Sequence, residues 1–363
     1  MSLNFAITTL NVVSQARINF NAHGAYKPMD MNNKNVTMQE FHISVAPMMD
    51  WTDRHCRYFH RLISPRAVLY TEMVTTGALI HGDRDRFLRF DNAEHPLALQ
   101  LGGSDPESLA QCALMAQDYG YDAVNLNCGC PSDRVQSGHF GACLMADPLR
   151  VGQCIKAMQD AVNIPVTVKC RIAIDEEEEW PFLTRFIDIV ADHGCDEFII
   201  HARKAWLNGL SPKQNRDVPP LRYDIAEKIK QTYPHLNIGL NGGIKTIEQI
   251  TAHKDSFDSI MIGREIYQNP WFLYEIERDV FGNDQTLSRA DIAMAMIEYI
   301  EKQQRDFATP PKSITRHMIG LFHGQAGGKK WRRYISENAH KDDVNVKELI
   351  ESAIPKSQQS LAA

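Results

Sequence analysis

The sequence predicts an α/β protein: a closed parallel (β/α)8 TIM barrel followed by a small all-helical C-terminal domain. Three observations indicate this fold. Eight short apolar or β-branched runs recur between residues 42 and 263, and segments of helical periodicity separate most of them. Polar side chains stand at or just after the C-terminal ends of these runs. After residue 281 the strand signals stop and only helical patterns remain.

The eight apolar runs are interpreted as buried strands, because strands covered on both faces read as continuous apolar segments. They occupy residues 42–46, 67–72, 96–101, 123–127, 165–169, 197–201, 237–241 and 259–263. Clear helical periodicity lies at residues 106–119, 149–162 and 177–193. Eight βα units over about 240 residues favour a closed barrel. An open doubly wound sheet is the alternative.

The polar residues at the strand ends predict where the site lies. They are Glu72, Gln100, Asn127, Lys169, His201, Asn241 and Arg264, and Met48 stands at the equivalent position after the first strand. In a parallel barrel these ends converge on one mouth, which is where active sites are found. We therefore expect the site at this mouth.

Three segments are predicted along the chain. Residues 1–40 are polar and asparagine-rich, so we expect a mobile leader. Residues 41–283 form the barrel domain, and a hinge at 282–284 leads to a helical domain at 284–363. Its helices are predicted at residues 287–304, 314–322, 329–338 and 345–354.

The composition is that of an ordinary globular protein, with 44% hydrophobic and 23% charged residues among 363. No apolar run approaches the roughly 18 residues of a membrane span, and the start lacks a basic cluster. A cytoplasmic protein without membrane association is expected. The eight cysteines all lie between Cys56 and Cys195, which does not suggest a disulfide framework. Cys128 and Cys130 lack a second ligand pair at zinc spacing, so no metal is expected.

The charge pattern points to one local basic surface. A net charge of -6 argues against a protein that coats nucleic acid over its whole surface. Residues 307–336, however, contain no Asp or Glu. We call this segment the basic run; its cations are Lys312, Arg316, Lys329, Lys330, Arg332 and Arg333.

Three side chains at the predicted mouth suggest chemistry. A thiol at Cys130, held between Gly129 and Pro131, suits a proton donor or a latent nucleophile, whereas Cys128 is interpreted as a small buried hydrophobe. Lys169 emerges from a buried strand and needs an anion or an electron-rich partner, with a structural ion pair as the alternative. His201 is either part of the same site or a hydrogen-bonded core residue.

Glycines follow the seventh and eighth strands, at Gly242, Gly243 and Gly263 beside Arg264. Paired glycines let backbone N–H groups approach a ligand, and this quarter of a barrel often holds a phosphate. Ordinary turns are the alternative. The chain has no G-x-G-x-x-G, Walker A, H-E-x-x-H or G-x-S-x-G motif, which disfavours a separate Rossmann domain, a P-loop NTPase, a zincin and an α/β-hydrolase.

These motifs together resemble the flavin-dependent tRNA-dihydrouridine synthases, in order from about residue 41 to 340. The resemblance rests on residues 45–50, 52–53, 100–103, 127–132, 169–171, 201–203, 241–243 and 263–264. Residues 70–77, 204–213, 314–318 and 331–334 are similar to the bacterial A-type branch, which reduces uridines 20 and 20a of the tRNA D-loop. Two departures, Cys128 and Cys170 with Ala173, remove no functional group.

The resemblance implies FMN as cofactor and NADPH as electron donor. It implies that FMN is held by Pro47, Met48, Met49, Gln100, Lys169, His201, Asn241, Gly242, Gly243, Gly263 and Arg264. It implies Cys130 as general acid and tRNA contacts at Asn127, Lys213, Arg216, Arg316, Lys329, Arg332 and Arg333. A monomer is expected.

Two other functions are compatible with parts of the pattern. An FMN barrel oxidoreductase acting on a small pyrimidine, such as dihydroorotate, would explain the flavin motifs but not the basic run. A non-catalytic tRNA-binding protein would explain the basic run but leave Cys130, Lys169 and His201 without a role.

Overall fold

The computed structural model of the chain describes residues 41–341 and 344–359, so the expected leader at residues 1–40 lies outside the described residues. Eight parallel strands close into a barrel in chain order, with the last strand hydrogen-bonded to the first. They are β1 (His42–Val45), β2 (Val68–Thr75), β3 (Leu97–Gly102), β4 (Ala123–Cys128), β5 (Val166–Arg171), β6 (Glu197–His201), β7 (Asn237–Asn241) and β8 (Ser259–Ile262). The predicted (β/α)8 barrel is confirmed, and the open sheet is wrong.

The strands divide the apolar residues into an inner and an outer core. Residues of a strand point alternately into the barrel and toward the helices. On β4 and β5 the residues Leu126, Cys128, Val168 and Cys170 belong to the outer core, which sends Asn127 and Lys169 inward. The barrel itself is filled by a small cluster of Ala46, Tyr70, Ala98, Ala123, Ile199 and Met261.

Eleven helices accompany the barrel strands in the described part of the chain. They are α1 (Arg54–Ile63), α2 (Thr76–His81), α3 (Arg84–Leu88), α4 (Pro106–Tyr119), α5 (Asp133–Ser137), α6 (Pro148–Ala161), α7 (Glu179–Asp192), α8 (Tyr223–Thr232), α9 (Ile247–His253), α10 (Arg264–Gln268) and α11 (Phe272–Asp279). Asp105 and Asp147 each cap a helix that begins with proline, where the missing N–H costs nothing.

The C-terminal segment is helical, as predicted, with one exception. Its helices are α12 (Arg289–Phe307), α13 (Pro311–Thr315), α14 (Gly328–Asn338), α15 (Val346–Ala353) and α16 (Lys356–Gln359). The predicted helix at 314–322 is wrong, because α13 ends at Thr315 and the chain continues in turns to Gly328. Gly320 lies in these turns and approaches the barrel closely: a Cβ there would lie 2.4 Å from the Gln268 carbonyl oxygen, so this approach needs glycine.

Asp53 joins the C-terminal segment to the first barrel helix. Its carboxylate caps α1 and lies 2.7 Å from Nη2 of Arg316 and 3.0 Å from Nε2 of His317. Burial would raise the pKa of Asp53, but the hydrogen bond and charge of His317 outweigh it and hold that pKa far below its usual range. Tyr299 of α12 adds a stacked ring contact with Tyr58, at 3.9 Å between centroids. The domain boundary at residue 283 stays a prediction.

Glu197 is buried at the start of β6, at the end of the barrel away from the mouth. Glu197 is only 5% exposed. Burial, with the nearby Asp196 and Asp258, raises the pKa of Glu197 from 4.5 to about 7. The folded state therefore keeps a proton that the unfolded chain releases. The stability linked to this proton is present below the unfolded pKa and is lost as pH rises through the folded pKa.

We expect Glu197→Gln to remove this pH dependence. Between pH 5 and pH 8 the wild-type free energy of unfolding should fall by about 2–3 kcal/mol from this group, and the variant should lose that slope. Urea denaturation at several pH values measures it. Glu301→Gln, an exposed position on α12, is the matched control. Parallel stability curves for wild type and Glu197→Gln would contradict the assignment.

Candidate active site

A chain of buried amides forms the base of the barrel mouth. Gln100 Nε2 donates to Asn125 Oδ1 at 2.8 Å, and Asn127 Nδ2 donates to Gln100 Oε1 at 2.9 Å. Asn125 Nδ2 in turn donates to Thr167 Oγ1 at 2.9 Å. A buried polar network whose members are hydrogen-bonded is rigid. Gln100 and Asn127 are therefore held in fixed orientations across three adjacent strands.

Asn127 also shapes the loop that carries the thiol, residues 129–132, which we call the Cys130 loop. Its Oδ1 accepts hydrogen bonds from the N–H groups of Gly129 at 3.1 Å and Cys130 at 3.0 Å. On the other side, Ala142 N–H donates to the Cys130 carbonyl at 2.9 Å. The thiol is half-buried and lies 3.6 Å from Ser132 Oγ. The loop thus presents an accessible thiol at the mouth.

Cys128, two residues earlier, has a different environment. Its side chain belongs to the outer core and is completely buried. Burial raises the pKa of Cys128 well above its usual value, so it remains a thiol at physiological pH. The prediction that Cys128 is a small buried hydrophobe is confirmed.

Lys169 projects into the mouth from β5 and is almost fully buried. Its Nζ donates to Asn241 Oδ1 at 3.0 Å, and Asn241 Nδ2 donates to the Met261 carbonyl at 2.7 Å. Burial, followed by the charge of Arg171, lowers the pKa of Lys169 to about 8. Within residues 41–341 and 344–359 no carboxylate lies within 4.0 Å of this ammonium, which rules out the structural ion pair considered above.

His201 ends β6 beside this lysine. Burial, followed by the charges of Arg171 and Lys169, holds the pKa of His201 well below its usual value. The imidazole is therefore neutral at physiological pH, with one ring nitrogen able to donate and the other able to accept. A cationic wall with a neutral histidine forms the side of the mouth built from β5 and β6.

The glycines after β7 bring backbone close to this wall. Gly242 and Gly243 have φ values of 121° and 75°, which L side chains rarely adopt. A Cβ on Gly242 would lie 2.8 Å from His201 Cδ2, and one on Gly243 would lie 2.5 Å from Leu221 Cδ1. Any side chain at these two positions would therefore be strained, whereas glycine is not. Arg264, after β8, pairs with Asp217 at 2.8 Å.

The loop after β1 supplies an apolar edge. Asp50 adopts a left-handed conformation with φ 64°, and its N–H donates to Glu72 Oε1 at 2.5 Å. This turn leaves Met49 56% exposed at the mouth. Met48, which follows Pro47, lies near Gly263: a Cβ on that glycine would be 3.5 Å from Met48 Sδ. The loop therefore connects the ends of β1 and β8.

Apart from Asn127, which lies in the mouth on β4, the predicted tRNA contacts lie on two parts of the structure, the loop after β6 and the C-terminal segment. Lys213 and Arg216 are on the loop after β6 (residues 202–222, called the β6 loop), at the rim of the mouth. Arg316 is bound to Asp53. Lys329, Arg332 and Arg333 are exposed on α14, a helix that packs against α15 and buries Trp331 below Met318. The roles of all these residues stay predictions.

In the folded structure, two cations of the basic run lie next to acids from outside the run. Arg316 pairs with Asp53, and Arg333 pairs with Glu337 at 2.8 Å. Lys329 and Lys330, in contrast, occupy the first turn of α14, where the helix dipole disfavours cations. Cations in this position favour an external anion as partner.

Sequence reasoning assigned no role to Arg171, Gln136 or Asp53, although Arg171 and Asp53 lie in the quoted motifs. A signal was available for Arg171: it follows Lys169 by two residues, so both point into the barrel. Among the described residues no cluster of three or more His, Cys, Asp or Glu side chains is arranged to hold a metal ion. None of the described helices is both long and apolar enough to cross a bilayer.

Comparisons with known proteins show which family and which proteins this sequence is similar to. The family model described as dihydrouridine synthase matches residues 44–359. The tRNA-dihydrouridine(20/20a) synthase of Vibrio parahaemolyticus is 54% identical over 321 residues, which cover 88% of this chain and 98% of that protein. The proteins of the same name from Shewanella oneidensis and Escherichia coli are 55% and 56% identical, over 88% and 84% of this chain and 95% and 89% of their own lengths.

Proposed function

The chain belongs to the dihydrouridine synthase family, and we propose that it reduces uridines 20 and 20a of tRNA to 5,6-dihydrouridine. The observation that carries this proposal is the Cys130 thiol, held at the barrel mouth by Asn127 beside the wall of Lys169 and His201. An acid and a cationic wall at one mouth suit the addition of hydrogen across a polarised double bond.

The mouth fits a flavin, the cofactor of this family, and we propose FMN reduced by NADPH. The close-approach glycines Gly242 and Gly243, with Arg264 nearby, suit a phosphate. Among the described residues Lys169 has a polar partner, Asn241, but no acid within 4.0 Å, so it can take an electron-rich ring atom or an anion. His201 and Gln100 would bind the polar edge of the ring, Met48 and Met49 its apolar face. Bound FMN would supply the hydride that goes to C6 of the uracil.

The chain itself supplies the proton. Reduction of the C5–C6 double bond needs one hydride and one proton, and we propose that the Cys130 thiol donates its proton to C5. Asn127 holds the N–H groups of the Cys130 loop and so fixes the direction of the Cys130 side chain. Cys128 is buried in the outer core and takes no part.

A uridine in folded tRNA has to leave its stack to reach a barrel mouth. We propose that Lys213 and Arg216 on the rim and Lys329, Arg332 and Arg333 on α14 contact the backbone and position the tRNA body. Backbone contacts of this kind set orientation, whereas the mouth selects the base. The proposed cytoplasmic location and monomeric state stay predictions.

Mapping of dihydrouridine in tRNA from cells with and without this protein tests the proposal. We expect loss of dihydrouridine at positions 20 and 20a when the protein is missing. Two assays of the purified protein separate the other candidate functions. A non-catalytic tRNA-binding protein would show no flavin absorption and no turnover. An enzyme acting on a small pyrimidine would turn over the free pyrimidine and would not reduce tRNA.

The proposed backbone contacts predict a specific salt dependence of tRNA binding. Each phosphate contact lowers log affinity by roughly 0.7 to 0.9 per log unit of salt. Arg332→Ala should flatten this slope by about one contact. Arg333→Ala should flatten it less, because Arg333 already pairs with Glu337. Filter binding or fluorescence anisotropy at four salt concentrations measures the slope.

The control for this experiment is Lys347→Ala on the neighbouring helix α15, also exposed. It should leave the slope unchanged, and all three variants should keep FMN content and NADPH oxidation because the mouth is untouched. If the double variant Arg332→Ala, Arg333→Ala binds tRNA with wild-type affinity and slope, docking has to occur elsewhere, at Lys213, Arg216 or another part of the rim.

A further inference from the structure

Arg171 is a buried cation whose guanidinium, in the described part of the chain, donates only to backbone carbonyls. It ends β5, is 3% exposed and donates from Nε to the Gly129 carbonyl at 3.1 Å. From Nη1 it donates to the carbonyls of Asn215 at 3.0 Å and Lys204 at 3.4 Å. Burial lowers the pKa of Arg171 to about 10, so it is still charged at physiological pH. A buried charge is costly unless it is hydrogen-bonded, and these three carbonyls stabilise it.

The three carbonyls belong to the two loops that matter most for the proposed reaction. Gly129 begins the Cys130 loop. Lys204 and Asn215 belong to the β6 loop, which also carries Lys213 and Arg216. A planar guanidinium with fixed donor directions defines the distance between such loops better than a flexible ammonium does.

Asn215 cross-links the β6 loop internally. Asn215 is completely buried, and its Nδ2 donates to the carbonyls of Trp206 at 2.9 Å and Leu210 at 3.1 Å. Its Oδ1 accepts from the Trp206 N–H at 2.7 Å. Lys213 lies within this cross-linked segment and Arg216 directly follows it, and Arg171 donates to the carbonyl of Asn215.

Gln136 provides a second link between the same two loops. Its Nε2 donates to the Pro131 carbonyl at 3.0 Å, next to Cys130, and to the Leu207 carbonyl of the β6 loop at 2.6 Å. The two loops are thus joined on the inner side by Arg171 and on the outer side by Gln136.

We propose that Arg171, assisted by Gln136, is a positioning residue that fixes the Cys130 thiol relative to tRNA bound on the β6 loop. This inference rests on the proposed function. Neither side chain transfers a proton itself. Without the link, tRNA docked on Lys213 and Arg216 would no longer place its uridine in register with the thiol, and proton transfer would slow although binding and flavin reduction persist.

A double-mutant cycle between Arg171 and Cys130 tests this inference. The readout is the single-turnover rate at which tRNA reoxidises the reduced flavin of the holoenzyme. Arg171→Met should slow this step by about 10- to 100-fold, the range that a misplacement of about 1 Å can cost. In a Cys130→Ala background the same substitution should cause no further loss, because a residue that acts through the thiol has nothing left to position.

Gln136→Ala keeps the test informative if Arg171→Met does not fold. This half-buried side chain can be removed without leaving a buried charge, and we expect a loss of about 3- to 10-fold that also disappears in the Cys130→Ala background. The matched control is Gln159→Ala, whose Nε2 donates to the Gly194 carbonyl at 2.7 Å on the outside of the barrel. It should leave both half-reactions unchanged.

Thiol alkylation gives a readout that does not depend on turnover. Iodoacetamide labelling of Cys130, followed by mass spectrometry, should be several-fold faster in Arg171→Met and Gln136→Ala than in wild type because the loop is released. Cys143, also half-buried, is the internal control and should keep its labelling rate.

The possible failures are distinguishable. Additive losses in the cycle, with unchanged Cys130 labelling, would overturn the positioning role and leave the proposed function intact. An active Cys130→Ala enzyme would overturn both, because Arg171 would then have no acid to act through. Loss of flavin or of NADPH oxidation in Gln136→Ala would overturn the inference in favour of a role at the cofactor.

Discussion

Cys130→Ala is expected to lower the rate of tRNA reduction by ~10²–10⁴, the usual contribution of a positioned general acid. The thiol is half-buried at the mouth, and Asn127 fixes its loop through two backbone N–H groups. Removing only Sγ leaves those hydrogen bonds in place. The loss of rate is therefore caused by the missing proton donor and not by a displaced loop. Flavin content and the rate of reduction by NADPH should match the wild type.

The matched control is Cys128→Ala, two residues away in the same segment. Its thiol is fully buried among outer-core residues and faces away from the mouth. We expect wild-type reduction of tRNA from this variant, with a small loss of stability because one buried sulfur is removed. Both variants are measured by anaerobic single-turnover reoxidation of the flavin with tRNA. Equal rates for the two would show that the proton comes from another group.

Lys169→Met is expected to weaken FMN binding by about 10- to 100-fold, because a charge-assisted hydrogen bond to a buried partner contributes about 1.5–3 kcal/mol. Methionine keeps the length and the apolar stem of the side chain but removes the ammonium. The FMN dissociation constant is measured by ultrafiltration or by quenching of flavin fluorescence on binding. Lys213→Met, a rim lysine outside the proposed flavin site, should bind FMN as the wild type does.

The same lysine predicts how FMN affinity depends on pH. Burial lowers the pKa of Lys169 to about 8, so the free protein carries the charge below that pH and loses it above. A neutral amine is a weaker hydrogen-bond donor to an electron-rich ring atom than an ammonium is. Wild-type FMN affinity should therefore fall as pH rises through about 8, and Lys169→Met should lack this fall. Identical pH profiles for the two proteins would exclude the assigned role.

The barrel could be predicted because short continuous apolar runs between helical segments have few interpretations other than buried parallel strands. Seven of the eight strands agree with the prediction to within two residues at each end, whereas β2 extends to Thr75 and the prediction ended at residue 72. A register shift between Tyr70 and Met73 explains this difference. The bulge allows Glu72 to turn toward Asp50 while the strand continues, and hydropathy does not report a bulge.

The parts that could not be predicted depend on contacts between distant residues. Arg171 was visible as a cation, but its partners Gly129, Lys204 and Asn215 contribute backbone carbonyls, which have no sequence signature. The turns after Thr315 bring Gly320 against the Gln268 backbone, a contact between residues 52 positions apart that the helical periodicity does not report. Arg316 pairs with Asp53, which lies 263 positions earlier in the chain. The absence of acids within the basic run gave no indication of this pair.

The contacts of α1 with the C-terminal segment have a consequence for synthesis on the ribosome. The first barrel helix receives partners for its capping carboxylate from Arg316 and His317, and the ring that stacks on Tyr58 from Tyr299. A chain emerging from its N-terminus makes β1 and α1 first, yet it completes their packing only after these last helices have left the exit tunnel. Contacts so distant in sequence slow folding and prolong the exposure of apolar surface. A nascent chain cut after residue 283 should therefore keep an incompletely packed first βα unit and need chaperones, whereas the full-length chain completes the packing of α1 against its last helices.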